Sequence, residues 1–597
     1  MFLSMLVITA WQYFFVPPPN QVQPVTTEKI GLPEDLPSES SSTTPPPAEA
    51  FGRMASTVDP VSPVRSVVDI ATSDPVVSDT EEREVLVESD LFRAVFSNRG
   101  AELISWQLKA HREDDVLIDL VPRDLPLDEP RAFGIAFFDQ PDLTQIAKEA
   151  LFKANITQLK LQDRAETVVF DYEDANGLRL RKTFLFNPSI SPYVVTVSVE
   201  AHQGQQTLKP ILRWGPALGG VERSSGGISY KEGPRGILYG RVLEAGIFQE
   251  TDMTRPDRSD IDEQSTYEGQ MLYAGVDNHY FLAAALPASR LGTIDYRNVS
   301  LPNPDLDDRA LLAFDLALED GIDELAFYLG PKEFNVLESA GNSLQLAIDF
   351  GFFAALIVPL HRSLTWVYET VGNWGIAIIL LTIVINLIMF PLRHKSVMSM
   401  RKMQELQPQM KAIQDRYKHL KATDPEKQKM NKEVMALYTE KGVNPISGCL
   451  PMLLTMPVLF AFYRLLSLSI EMRGAPFLGW ITDLSAQDPY YVTPIVMGAS
   501  MVLQQRLTPS QAEPMQQKIM MLMPVIFTFM FLSAPSGLVI YWLTSNLWGI
   551  GQQLITYQLT GPLKTSAVRP PAEGRAKKSD RKRKGEKKIK NAAIEPE

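Results

Sequence analysis

The chain has 597 residues and a formal charge of −12, with 45% apolar and 21% charged residues. A single cysteine, Cys449, excludes an internal disulfide framework and a cysteine-cluster metal site. No GxGxxG, GxxxxGKS/T or HExxH pattern occurs, so nucleotide and zinc-hydrolase chemistry have no basis in the sequence. The charge is unevenly spread. Segment 393–441 carries +6 and segment 561–597 carries +7, which leaves −25 for everything else. An acidic body with two basic islands is the signature of a membrane protein whose islands face the cytosol.

Residues 1–16 hold an apolar run that stops at Pro17-Pro18-Pro19. At 1.5 Å per residue it covers only ~22 Å. It has no small-residue cleavage site, so it reads as an uncleaved transmembrane anchor, and an upstream start codon would supply the missing length and positive charge. The alternative is a buried helix of a soluble domain. Residues 17–84, rich in Pro, Ser, Thr and Glu, cannot bury enough apolar surface to fold and read as an acidic linker. Residues 85–345 switch to a period of two, as in ETVVFDYED, LRLRKTFLF and YVVTVSVEA, with turn signals between. This predicts a large antiparallel β-sandwich. Its histidines, His111, His202 and His279, are scattered and suggest no catalytic set.

Residues 346–371 are apolar but interrupted by Pro359, His361, Arg362 and Glu369. If they crossed the bilayer, the basic segment that follows would return to the side of the acidic β domain. They are therefore expected to form an interfacial amphipathic helix. A transmembrane helix is predicted at 372–392 and a cytosolic helical hairpin at 393–447, with breaks at Pro408 and Thr423-Asp424-Pro425. Four transmembrane helices with short loops follow at 448–558, then a basic cytosolic tail at 559–597. The expected spans are 449–470, 490–507, 519–534 and 538–557. Parity places both termini and both basic islands inside and the β domain outside.

The segments GNWGIAIILLTIVINLIMFPL, KGVNPISGCLPMLLTMPVLFAFY, EMRGAPFLGWITDLSAQDPYY and PMQQKIMMLMPVIFTFMFLSAPSGLVIYWLTSNL resemble the YidC/Oxa-type insertase family from about residue 330 to 557. The β region more loosely resembles the periplasmic domain of its Gram-negative members. The resemblance implies a five-helix core with a groove open to the cytosol and to lipid and closed to the outside. It implies insertion and folding of membrane proteins, alone or beside the Sec translocon and its accessory subunits, without covalent chemistry, cofactor, metal or small-molecule substrate. The expected fold is α+β: an all-α polytopic bundle and anchor helix carrying an inserted periplasmic β-sandwich. Two other classes remain in view. A transporter or channel predicts internal repeats and paired intramembrane charges. A cell-envelope enzyme predicts a clustered acid/base or metal set in the β domain. The sequence offers neither.

Polar residues within apolar spans, Thr382, Asn386, Thr455, Arg464, Thr544 and Asn546, are costly in hydrocarbon unless they face protein or water. Interhelical hydrogen bonding is the simpler account of the threonines. The resemblance marks a groove of Thr382, Asn386, Arg393, Met456, Tyr541 and Trp542, with the family's usual cation replaced here by Asn386. Arg393, seven residues on, shares a helix face with Asn386, whereas Arg464 is expected to reach outward. Seventeen of the 22 methionines fall between Met389 and Met530. Met523 reads as core filling, while Met398, Met400, Met403 and Met410 read as an adaptable apolar landing surface on the hairpin. The tail cations Lys577, Lys578, Arg581, Lys582, Arg583, Lys584, Lys587, Lys588 and Lys590 read as a contact for the ribosome or for membrane lipids.

Overall fold

The computed structural model describes residues 76–113, 116–122, 124–126, 129–218, 234–244, 246–249, 251–301, 309–418, 426–443, 450–507 and 514–561. The expected anchor, the linker up to residue 75, the break at 423–425 and all nine tail cations lie outside the described residues. Residues 76–83, expected in the linker, belong to the β domain instead. The Val76 and Val77 N–H groups donate to the Glu173 carbonyl at 2.7 and 3.0 Å. The Asn98 side chain donates to the Glu81 carbonyl and accepts from the Arg83 N–H. Backbone bridging sets this boundary, and it leaves no apolar pattern to read.

The period-two segments form the expected antiparallel strands. Along Leu178–Phe186 buried and outward positions alternate residue by residue, and the strand pairs on either side with Glu166–Glu173 and Val194–Gln203. Among the described residues the strands assemble into one sheet of fifteen and one of five, the latter closed by a parallel pair between Glu84–Glu88 and Gln158–Lys160. The two sheets bury their apolar faces against each other. Phe96 of the smaller sheet meets Phe184 of the larger at 4.7 Å between ring centroids, and Phe92 stacks on Trp106 at 4.2 Å. Helix α1 (Pro141–Glu149) and helix α2 (Arg258–Glu263) decorate this sandwich, and α3 (Phe334–Ala340) follows its last long strand.

The chain then reaches the bundle through two 3-10 turns, Leu344–Ala347 and Gly351–Phe353. Left-handed backbone at Gly341, Ser343 and Gly351 breaks this stretch, so α4 (Ala354–Val371) starts eight residues later than expected. Ile357, His361 and Leu364 form its buried stripe and Trp366 is exposed, so the helix is amphipathic. Gly372 reverses the chain, and the Asn373 side chain caps α5 (Trp374–Glu405) by accepting the Ile376 N–H at 3.0 Å. This helix does not stop at 392. It runs through Pro391 for another thirteen residues, and the break falls near Pro408, where α6 (Gln407–Arg416) begins. Helix α7 (Glu426–Glu440) packs on α6 around Leu406, Tyr438 and Val443. The remaining helices are α8 (Leu450–Leu468), α9 (Val492–Leu507), α10 (Pro514–Phe531) and α11 (Ser536–Thr560).

Candidate functional site

The bundle has two unlike ends. At the end nearer the β domain, the loop after α8 seals the helices. Phe477 lies against Gly375, where any Cβ would collide with its ring. The Asn373 side chain donates to the carbonyls of Pro476 and Phe477. Asp488 has no exposed surface and accepts four hydrogen bonds, from Trp480 Nε1, the Tyr490 N–H, and the N–H and hydroxyl of Thr493. Burial alone would raise its carboxyl, but these donors hold it below its ordinary value. The start of α11 is tied to the same loop: Ser536 donates to Ala486 and the Gly537 N–H to Leu484.

The β domain docks on this end. His279 Nε2 donates to the Ser467 carbonyl at 2.8 Å, and the Arg473 guanidinium covers the rings of Tyr280 and Phe281 at 5.3 and 5.7 Å. His111 stands edge-on to Phe281, and His361 of α4 pairs with Glu471 at 3.0 Å. The sequence reading treats His111, His202 and His279 as scattered; the fold gathers His111 and His279 at one junction, together with His361. His202, on a strand beside Thr207, stays apart.

Polar residues inside the bundle fall into two groups. Asn546 donates to Ser500, joining α11 to α9, whereas the Thr544 hydroxyl bonds back to the Ile540 carbonyl within its own helix and not across helices. Arg464 reaches out to Asp349 at the β-domain end, as its position implied. The second group lies toward the opposite end. Thr382 and Asn386 are buried, and the Asn386 amide donates to the Thr382 carbonyl at 2.7 Å. Arg393, two turns on, donates from Nη1 to Asn386 Oδ1 at 2.5 Å. Tyr541 lies within electrostatic reach of Arg393 and stacks on Phe462 at 4.4 Å. Trp542 packs edge-on against Phe531 at 4.9 Å. The sequence reading missed Phe462 and Phe531, which sit in apolar runs without a distinguishing neighbour. Met456 is half-buried on α8.

Two expectations for methionine change. Met403 and Met410 pack into the hairpin core, where the Tyr438 hydroxyl donates to the Met410 sulfur at 2.9 Å, so they do not form an open surface. Met398 and Met400 are half-buried, and the exposed methionine of the hairpin is Met435. Met523 faces outward, because α10 leaves Met521, Leu522, Val525, Ile526 and Phe529 uncovered as well. An apolar face of this size in a bundle fits contact with lipid. Helix α5 shows the same division, with Leu380, Val384, Leu387 and Ile388 exposed on the face opposite Ile378, Thr382 and Asn386. At 1.5 Å per residue, α8, α9 and α10 measure about 24–28 Å, shorter than a ~30 Å hydrocarbon core.

A helical bundle with uncovered apolar faces, a β-sandwich on one end and a basic helical hairpin on the other is the architecture of a membrane protein that carries a large folded domain. Two family models cover the chain: the YidC periplasmic domain at residues 84–363 and the 60Kd inner membrane protein at 366–562. The membrane protein insertase YidC of Geobacter metallireducens is 36% identical over 520 residues, spanning 85% of this chain and 92% of that protein. That of Syntrophus aciditrophicus is 34% identical over 547 residues, spanning 86% and 94%. A crystal structure of an active YidC insertase with its first transmembrane domain resolved aligns over 81% of this chain and 95% of that one, at 17% identity and a TM-score of 0.33. The chain belongs to the YidC family of membrane protein insertases. Its function is therefore insertion of membrane proteins into the inner membrane, not enzymatic catalysis, and its substrates are nascent membrane proteins.

Proposed function

We propose that insertion proceeds by partition through a polar groove whose wall is built from Thr382, Asn386, Arg393, Met456, Tyr541 and Trp542. The observation that carries this reading is the 2.5 Å contact from Arg393 to Asn386 on a helix that otherwise shows lipid an apolar face. Asn386 keeps the position polar, its amide donating to the Thr382 carbonyl and its oxygen accepting from Arg393. Arg393, reaching back two turns, supplies the positive charge that the family usually carries at the Asn386 position. An acidic flank of a substrate gains roughly 4 kcal/mol at 4 Å for an effective dielectric near 20. The short helices thin the bilayer and shorten the path. The apolar part of the substrate then leaves sideways into lipid, driven by burial at about 25 cal/mol per Å².

The hairpin receives the substrate on the cytosolic side through Met398, Met400 and the exposed Met435. Both termini are cytosolic. The basic tail, Lys577 to Lys590, holds ribosomes near the mouth by phosphate contacts or rests on anionic lipid, and the Sec translocon and its accessory subunits act beside the bundle on larger substrates.

The test is insertion efficiency in reconstituted vesicles, by protease protection, for matched substrates with acidic and neutral tails. Asn386→Leu should impair both by drying the groove. Arg393→Ala should impair mainly the acidic tail, and Asn386→Arg added to Arg393→Ala should restore it. Wild-type insertion by Asn386→Leu, or equal loss of both substrates in Arg393→Ala, would contradict the proposal.

A further inference from the structure

Arg401 lies in the cytosolic extension of α5, eight residues beyond Arg393, yet only 8% of it is exposed. It is buried against the far end of α11. The last carbonyls of a helix lack partners within it and carry the negative end of its dipole. The Arg401 guanidinium fills that position: Nη1 donates to the Thr556 carbonyl and the Thr560 hydroxyl, and Nη2 donates to the Gly561 carbonyl. Its plane also covers the Tyr557 ring at 5.3 Å. Ser396 on α5 and Gln552 and Thr556 on α11 are buried in the same seam. On the other flank of α11, Gln553 donates to the Leu507 carbonyl at the end of α9 at 2.6 Å. The cytosolic end of α11 is thus braced between α5 and α9, and the turn into α6 follows five residues after Arg401, at Leu406.

We propose that Arg401 is a positioning residue for insertion: it clamps the root of the hairpin to the end of α11 and so fixes the mouth of the groove. The inference rests on the groove reading above. Arg393 rides on α5 and its neighbour Tyr541 on α11, so their spacing depends on how these two helices are held. The outer ends are both tied to the loop after α8, α5 through Asn373 and α11 through Gly537, and the inner ends are joined by Arg401. The clamp also fixes the exit of the basic tail, which begins one residue after Gly561. Two arms of a planar fork and a stacked ring cannot be reproduced by the single ammonium of lysine.

The full chain carrying Arg401→Lys is reconstituted and its insertion compared with wild type. Loss of one charge-assisted arm should lower insertion about tenfold, with normal accumulation in the membrane. A second variant separates positioning from folding. Arg401→Cys and Thr560→Cys, in a Cys449→Ser background, are joined by a cleavable bis-maleimide about as long as the arginine side chain. The tethered protein should insert near the wild-type rate, and cleaving the tether in the same sample should drop insertion to the Arg401→Lys level. Wild-type insertion by Arg401→Lys, or a tethered protein no better than the cleaved one, would overturn the clamp. If Asn386→Leu is impaired while Arg401→Lys is not, only the clamp falls; if neither is impaired, the groove reading falls with it.

Discussion

Lys182 has no exposed surface, and an ammonium in such a site is tolerated only when its donors are taken and a counter-charge is near. Its Nζ donates to the carbonyls of Gly100, Ala101 and Phe133, at 2.6, 3.3 and 2.7 Å. All three residues adopt left-handed backbone. Burial pushes the ammonium down to about 8, against the pull of the neighbouring Glu102 carboxylate. Lys182→Met should therefore destabilise the β domain by about 3–5 kcal/mol, because it orphans the carbonyls and the buried carboxylate together. Protease susceptibility of the purified full chain against temperature would register this, and an unchanged midpoint would contradict it. The sequence did hold the signal, since the alternation of LRLRKTFLF puts Lys182 on the inward face. The Asn386–Arg393 contact was legible for a similar reason, as a spacing of seven keeps two residues on one side of a helix. Arg401 was not legible, because its partners lie more than 150 residues away and nothing local marks an arginine that caps another helix.

At the scale of elements, strands and helices followed their periodicities, and the differences arose at their ends. Helix α5 passes through Pro391, where sequence pattern suggested a stop, because its polar extension is held by the α11 seam. The motif DLSAQDPYY becomes intelligible as the cap of α9, with Asp488 collecting the donors around it. The junction between β domain and bundle could not be read in advance, as its histidines come from strand 102–113, the turn at 278–280 and α4. Its chemistry predicts a pH response. Burial, aided by the Arg473 cation and opposed by Glu471, pushes His111 down to about 4 from an ordinary 6.5. Between those values the unfolded chain binds more protons than the folded one, so His111 favours the folded form above pH 6.5 and this contribution is lost as pH falls toward 4. The protection factors of amides in strand 102–113, which allow for the intrinsic slowing of exchange in acid, should fall between pH 6.5 and 4.5, and His111→Phe should flatten the response. An identical response in the variant would show that another group is responsible.

For the whole molecule, the sealed end and the polar end give the bundle a direction. The loop after α8 closes the side that carries the β domain, and the Asn386–Arg393 pair and the basic hairpin occupy the other. Single cysteines in a Cys449→Ser background test this direction. A cysteine at Trp366, exposed on α4, should react with an impermeant thiol reagent in cells with a permeabilised outer membrane, and one at Met435 should react only after the inner membrane is opened. Labelling of position 435 from outside would reverse the topology. The central claim is that a substrate meets the polar groove before it meets lipid. The most direct measurement places a photoreactive phenylalanine analogue at Tyr541, beside Arg393, or at Phe529, on the lipid face of α10, and follows crosslinks to ribosome-stalled chains of increasing length. Crosslinks at 541 should appear with the shortest competent chains and give way to crosslinks at 529 as the chain lengthens. Crosslinks that appear first at 529, with none at 541 at any length, would contradict the account.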